Sequence, residues 1–98
     1  MAGYITLCKF TQKGLADIKN IEEMLKKGKA ASEKMGIRFV GYWLTLGEYD
    51  AIMIVDAPDD QTMAAYLLAG GMTGTVTTKT MRAFSEKEIA QVVGKLPQ

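Results

Sequence analysis

Val40-Gly-Tyr-Trp-Leu-Thr-Leu-Gly-Glu-Tyr-Asp-Ala-Ile-Met-Ile-Val-Asp56 is the stretch whose reading decides the fold. It holds the only tryptophan and two of the four tyrosines. Gly47-Glu48 separates two strand-like segments, the signal of a type II′ hairpin, because glycine supplies the φ > 0 that the first loop position needs. That loop predicts Leu46 opposite Tyr49, Thr45 opposite Asp50, Leu44 opposite Ala51 and Trp43 opposite Ile52. One face then carries Val40, Tyr42, Leu44, Leu46, Tyr49, Ala51, Met53 and Val55. The other carries Phe39, Gly41, Trp43, Thr45, Asp50, Ile52, Ile54 and Asp56. Neither face is made for water, so both should be covered.

Upstream, residues 4–10 alternate in the same way. Tyr4, Thr6, Cys8 and Phe10 share one side and Ile5, Leu7 and Lys9 the other, as in a central strand. Thr11-Gln-Lys-Gly14 reads as a turn. Ile18, Ile21, Leu25, Gly28, Ser32 and Met35 then recur at spacings of three and four, one face of an amphipathic helix. Asp17 or Asn20 is placed to cap its start, and Gly36 is a C′ stop. Gly28 costs that helix about 1 kcal/mol relative to Ala, and reads as a packing glycine that lets the backbone approach the sheet.

Downstream, Pro58-Asp-Asp60 opens a second helix with a carboxylate at its positive end. Met63, Tyr66, Leu67 and Leu68 form its apolar side and Gly70-Gly71 end it. Residues 73–84, rich in threonine, read as a fourth strand. Ser85 with Glu88 makes a capping box and Phe84 with Ile89 a hydrophobic staple. A short last helix follows, burying Ile89, Val92, Val93 and Leu96 and stopping at Pro97. The order β-α-β-β-α-β-α predicts an α+β domain over residues 1–98: two crossover helices on one face of a four-stranded antiparallel sheet, with the first and third strands central. The helices cover one face, yet the strands are apolar on both. The economical cover for the second face is the same face of another copy, so the partner predicted first is the chain itself, as a homodimer or a multiple of one.

Composition narrows the chemistry. Of 98 residues 48% are apolar and the net charge is +1, which describes a globular protein without the basic footprint of a nucleic-acid binder. The absence of histidine removes the commonest metal ligand and general base. One cysteine allows neither an intrachain disulfide nor a Cys-rich metal site, and favours a reducing compartment. With no signal-peptide pattern and no apolar run near the ~20 residues of a membrane span, the expectation is a cytoplasmic protein with no metal, no cofactor and no membrane partner.

Gly47-Glu-Tyr-Asp50, the apolar strand after it and Asp56-Ala-Pro-Asp-Asp60 together resemble the GYD-domain family. Tyr4-Ile-Thr-Leu-Cys-Lys-Phe-Thr-Gln-Lys-Gly14 and Arg82-Ala-Phe84 extend the resemblance over nearly the whole chain. It implies a ferredoxin-like βαββαβ fold of the dimeric α/β-barrel kind, here with a short C-terminal helix. It carries over no catalytic residues. The hairpin is similar, more loosely, to the effector-binding domains of Lrp/AsnC-type regulators, which use a Gly-x-Tyr-Asp turn at a ligand-binding subunit interface.

Two functions of different class fit these residues. One is a non-catalytic oligomeric module that holds a small molecule near the hairpin. Trp43, Thr45, Asp50 and Ile52 form one wall, with Tyr42 and Tyr49 beside them, mixing aromatic surface with a hydroxyl and a carboxylate. The other is a small cofactor-independent enzyme of monooxygenase or isomerase type, with Asp50 as base in that aromatic pocket. The plain reading of Asp50 is a turn residue bonded to hairpin backbone or Thr45. Cys8 has no histidine to raise its thiolate and reads as structural, the seven methionines as adaptable core filler. Gly70-Gly71-Met-Thr-Gly74 follows a helix and opens a strand, the reverse of a phosphate cradle.

Overall fold

The chain reverses at Gly47, whose φ of +104° lies where only glycine goes freely, and the central stretch pairs accordingly. Trp43 faces Ile52 and Leu44 faces Ala51 in an antiparallel ladder, and the Thr45 N–H donates to the Asp50 carbonyl at 2.9 Å. The computed structural model describes residues 1–98. Its elements are β1 (Ala2–Phe10), α1 (Gln12–Ala16), a 3-10 turn (Ile18–Asn20), α2 (Ile21–Lys34), β2 (Arg38–Leu44), β3 (Ala51–Ala57), α3 (Asp60–Met72), β4 (Val76–Ala83) and α4 (Glu86–Gly94). The sheet order is β2-β3-β1-β4 with every neighbour antiparallel. The first and third strands are central, as two crossovers require.

Register sorts the side chains by face. Tyr4, Thr6 and Cys8 of β1 lie opposite Val55, Met53 and Ala51 of β3 and opposite Arg82, Thr80 and Thr78 of β4. This face is covered by helices. Tyr4, Thr6, Cys8, Ala51, Val55 and Ala57 are all buried, and Met63 from α3 and Ile37 complete the core, with Met35, Phe39, Tyr66 and Leu67 packed around it. Polar groups on this side are paired: the Thr6 and Thr80 hydroxyls bond at 2.8 Å, and the Tyr66 hydroxyl donates to the Gly28 carbonyl at 3.0 Å, tying α3 to α2. Asp59 caps α3 by accepting from the Thr62 N–H at 2.7 Å, and the Tyr4 hydroxyl donates to the adjacent Asp60.

Several local expectations are corrected. Residues 11–14 form no simple turn: Thr11 caps α1, accepting from the Gly14 N–H at 3.1 Å. Gly14 is buried, and a Cβ there would collide with the Thr75 carbonyl oxygen. Asp17 and Asn20 stand at helix starts, but neither side chain makes a capping bond; the Asn20 amide donates to Asp17 instead, at 2.6 Å. Gly28 is no close approach to the sheet. A Cβ on it would meet only the Tyr66 hydroxyl, at 3.7 Å. Gly70 and Gly71 do not end α3, which runs on to Met72 in open space and stops at Gly74 with φ +72°. Leu68 points to solvent. Residues 73–75 belong to that stop rather than to β4.

The largest correction is a β-bulge. Phe39 pairs with Val55, and Gly41 with Ile54, so Val40 is an extra residue in β2. Phe39 therefore joins the helix-covered face and packs on the core, while Val40 is half exposed. Strict alternation had placed both the other way round.

Candidate binding face and hairpin

The second face of the sheet is uncovered. By the same ladders it carries Ile5 and Leu7 from β1, Ile52 and Ile54 from β3, Trp43 from β2 and Met81 from β4. Trp43 is 51% exposed and Met81 47%, whereas the four central aliphatic side chains are half-buried by one another. Charges mark its two ends. Arg38 donates to the Asp56 carboxylate at 2.6 Å at one end, and the Lys9 ammonium stands 5.6 Å from the centre of the Tyr49 ring at the other. The Trp43 indole is folded flat over Gly41, where a Cβ would come within 2.5 Å of the ring. Glycine at 41 is thus what lets the indole lie against the strand. Met81 was the face residue that sequence reasoning missed. Its signal was a lone large apolar residue in a threonine-rich strand.

The six residues expected at a ligand site fall into separate groups. Trp43 and Ile52 are cross-strand neighbours on the uncovered face. Tyr42 pairs with Met53 on the other face, where burial, with the Cys8 and Asp50 side chains nearby, pushes its hydroxyl up to about 12. The Thr45 hydroxyl donates to the Tyr49 carbonyl at 2.6 Å. The Asp50 carboxylate accepts from the Phe10 N–H at 2.9 Å, and the Asp50 N–H donates to the Cys8 carbonyl at 2.8 Å. Asp50 therefore bolts the hairpin to the end of β1, using a backbone donor that lies 40 residues away in sequence.

Other reactive groups are sequestered. Burial pushes the Cys8 thiol up to about 11, which leaves little thiolate near neutral pH. No three His, Cys, Asp or Glu side chains gather as a metal site. No helix is long and apolar enough to cross a membrane. An open cleft of about 590 Å³ runs along the outer edge of β2 beside α2, lined by Leu25, Lys29, Phe39, Val40 and Tyr42 among others. The Lys29 ammonium lies over the Phe39 ring there, at 5.3 Å.

Comparison with known proteins agrees with this architecture. A family model described as GYD domain matches residues 4–93. A Thermus thermophilus protein, named glutamine synthetase and cystathionine beta-lyase binding protein, is 29% identical over 97 residues, covering 98% of this chain and 99% of that protein. Among solved structures, MtbAldR is similar with a TM-score of 0.68 at 10% identity over 87% of this chain, and the chain spans 52% of MtbAldR's length. The hypothetical protein PHS023 from Pyrococcus horikoshii is similar at 0.59 with 19% identity, covering 90% of this chain and 95% of that one. At these identities the two structures speak for the fold alone.

Proposed function

The chain belongs to the GYD-domain family, and from that premise we propose that it is a non-catalytic, homo-oligomeric binding module acting on protein partners. The observation that carries the oligomer is the uncovered face. Ile5, Leu7, Trp43, Ile52, Ile54 and Met81 form one contiguous apolar patch on a sheet whose other side is already packed, and soluble monomers rarely leave so large a patch in water. A second copy applied face to face covers it symmetrically. Protein partners are supported by the Thermus relative, whose name gives it two enzymes to bind, and the buried, raised Cys8 thiol and the structural hydrogen bond of Asp50 to the Phe10 N–H favour a binding role over a catalytic one. A buried reduced thiol also suits a cytoplasmic location.

Sedimentation tests the oligomer. Ile54→Asp puts a charge into the middle of the patch, and an unpaired buried charge of this kind raises the dimer dissociation constant by about a hundredfold or more. Met53→Asp, on the packed face, should instead unfold the chain. A wild type that sediments as a monomer at tens of micromolar sinks the assembly. Direct binding to a glutamine synthetase and a cystathionine β-lyase, by interferometry, tests the partner class.

A second reading keeps a small molecule at the hairpin, favoured by the exposed Trp43 indole next to Ile52. Native mass spectrometry of freshly purified protein would reveal such a ligand as a discrete added mass. If one is found, quenching of Trp43 emission on rebinding would tie it to this site.

A further inference from the structure

We infer that α4 is an arm exchanged between copies, its apolar stripe closing on a second copy of this chain. Ile89, Val92, Val93 and Leu96 are each 47–64% exposed and no residue of α4 is buried. The helix is nevertheless held firmly. Ser85 and Glu88 form a complete capping box, Arg82 reaches Glu88 at 3.4 Å, and the same guanidinium stacks 4.5 Å from the Phe84 ring centre. An ordered, well-capped helix with a whole apolar side in water is a docking element missing its counterpart. The shape of the chain agrees: its radius of gyration is 14.9 Å with extents of 54 × 32 × 18 Å, against the ~13 Å of a compact chain of about this length.

Two features identify the occupant as another copy. The first is continuity. β4 ends at Ala83, opposite Gly3 on the uncovered face, and Met81 of that face lies two residues before. Thus α4 starts at the rim of the surface that a second copy would cover, and this inference rests on that reading of the face. The second is charge. The helix and the residue after it carry Glu86, Lys87, Glu88 and Lys95, two of each sign, so two identical arms approach without net repulsion.

Hydrogen exchange on wild-type protein, read across a dilution series that spans dimer dissociation, tests this without a mutation. The α4 amides should be protected in the dimer and lose protection in step with dissociation. The double variant Ile89→Asp/Val93→Asp should raise the dissociation constant at least about thirtyfold, with the far-ultraviolet dichroism of the sheet retained. Equal α4 protection in monomer and dimer, or a dissociation constant within twofold of wild type, overturns the inference. So does protection of α4 that arises only when a different protein is added. If the wild type forms no dimer, the face-to-face reading has failed; if the dimer persists while α4 stays unprotected, only the exchanged arm has.

Discussion

Gly14 and Gly28 show how differently two glycines of one chain answer the same substitution. A methyl group at Gly14 would drive into the Thr75 carbonyl, and the Thr11 N–H and hydroxyl already tie this turn to Thr75 and Gly74, so nothing there yields easily. Gly14→Ala should destabilise the fold by about 1–3 kcal/mol, the range for overpacking. Gly28→Ala adds a methyl at ordinary contact distance and removes the entropic weakness of an interior helix glycine, so it should stabilise by about 0.5–1 kcal/mol. Urea midpoints of the two variants check both signs. The contrast was invisible in sequence. Gly28 stood out because it interrupts a periodic helix, whereas Gly14 sits in an unpatterned segment and its constraint comes from a carbonyl 61 positions away.

Among the elements, the hairpin was the most legible, because one glycine and a fixed loop length determine its register. Its partners were less so. That Asp50 bonds Phe10 depends on β1 lying beside β3, which no local pattern records. The Val40 bulge escaped because period-two alternation has no mark for an inserted residue, and every position upstream of it changed sides. Helix starts were read correctly at Asp59 and Ser85, where a side chain does the capping, but not at Thr11, whose short helix α1 read as a turn; the two legible caps supply a pH prediction. The Thr62 N–H holds the Asp59 carboxyl below its usual range, and the Ser85 N–H first and Arg82 after it do the same for Glu88. A depressed folded-state pKa stabilises above the unfolded value, roughly 4 for such carboxyls, and that stabilisation disappears as pH falls through the folded value. Asp59 is exposed and Glu88 only partly covered at the surface, so the effect is small and screened by salt. Asn caps a helix as well as Asp, so Asp59→Asn should match wild type near neutrality and fall less steeply below about pH 4. Thermal midpoints between pH 2 and 6, at low salt, would detect it.

At the scale of the whole molecule, the apolar character of both sheet faces was legible, but which of them the helices leave uncovered was not. That choice follows from where both crossover helices land, and the bulge blurred the one strand that might have announced it. The bulge has a further consequence. β2 and β4 are both edges, and a straight exposed edge recruits further strands without limit. At Val40 the outward-facing donors and acceptors of β2 lose their regular spacing, and on β4 Lys79 and Arg82 place charge along the strand. Deleting Val40 should restore even spacing while leaving Arg38 and Phe39 on the sides they hold now, because Phe39 and Gly41 already pair with the consecutive residues Val55 and Ile54. Thioflavin T fluorescence of the deletion variant should then rise on incubation under conditions where wild type stays clear, and equal behaviour of the two would refute it. The single surplus residue at position 40 thus breaks the even run of backbone groups along one edge of the sheet, and the deletion variant asks whether that interruption is what limits strand-to-strand growth.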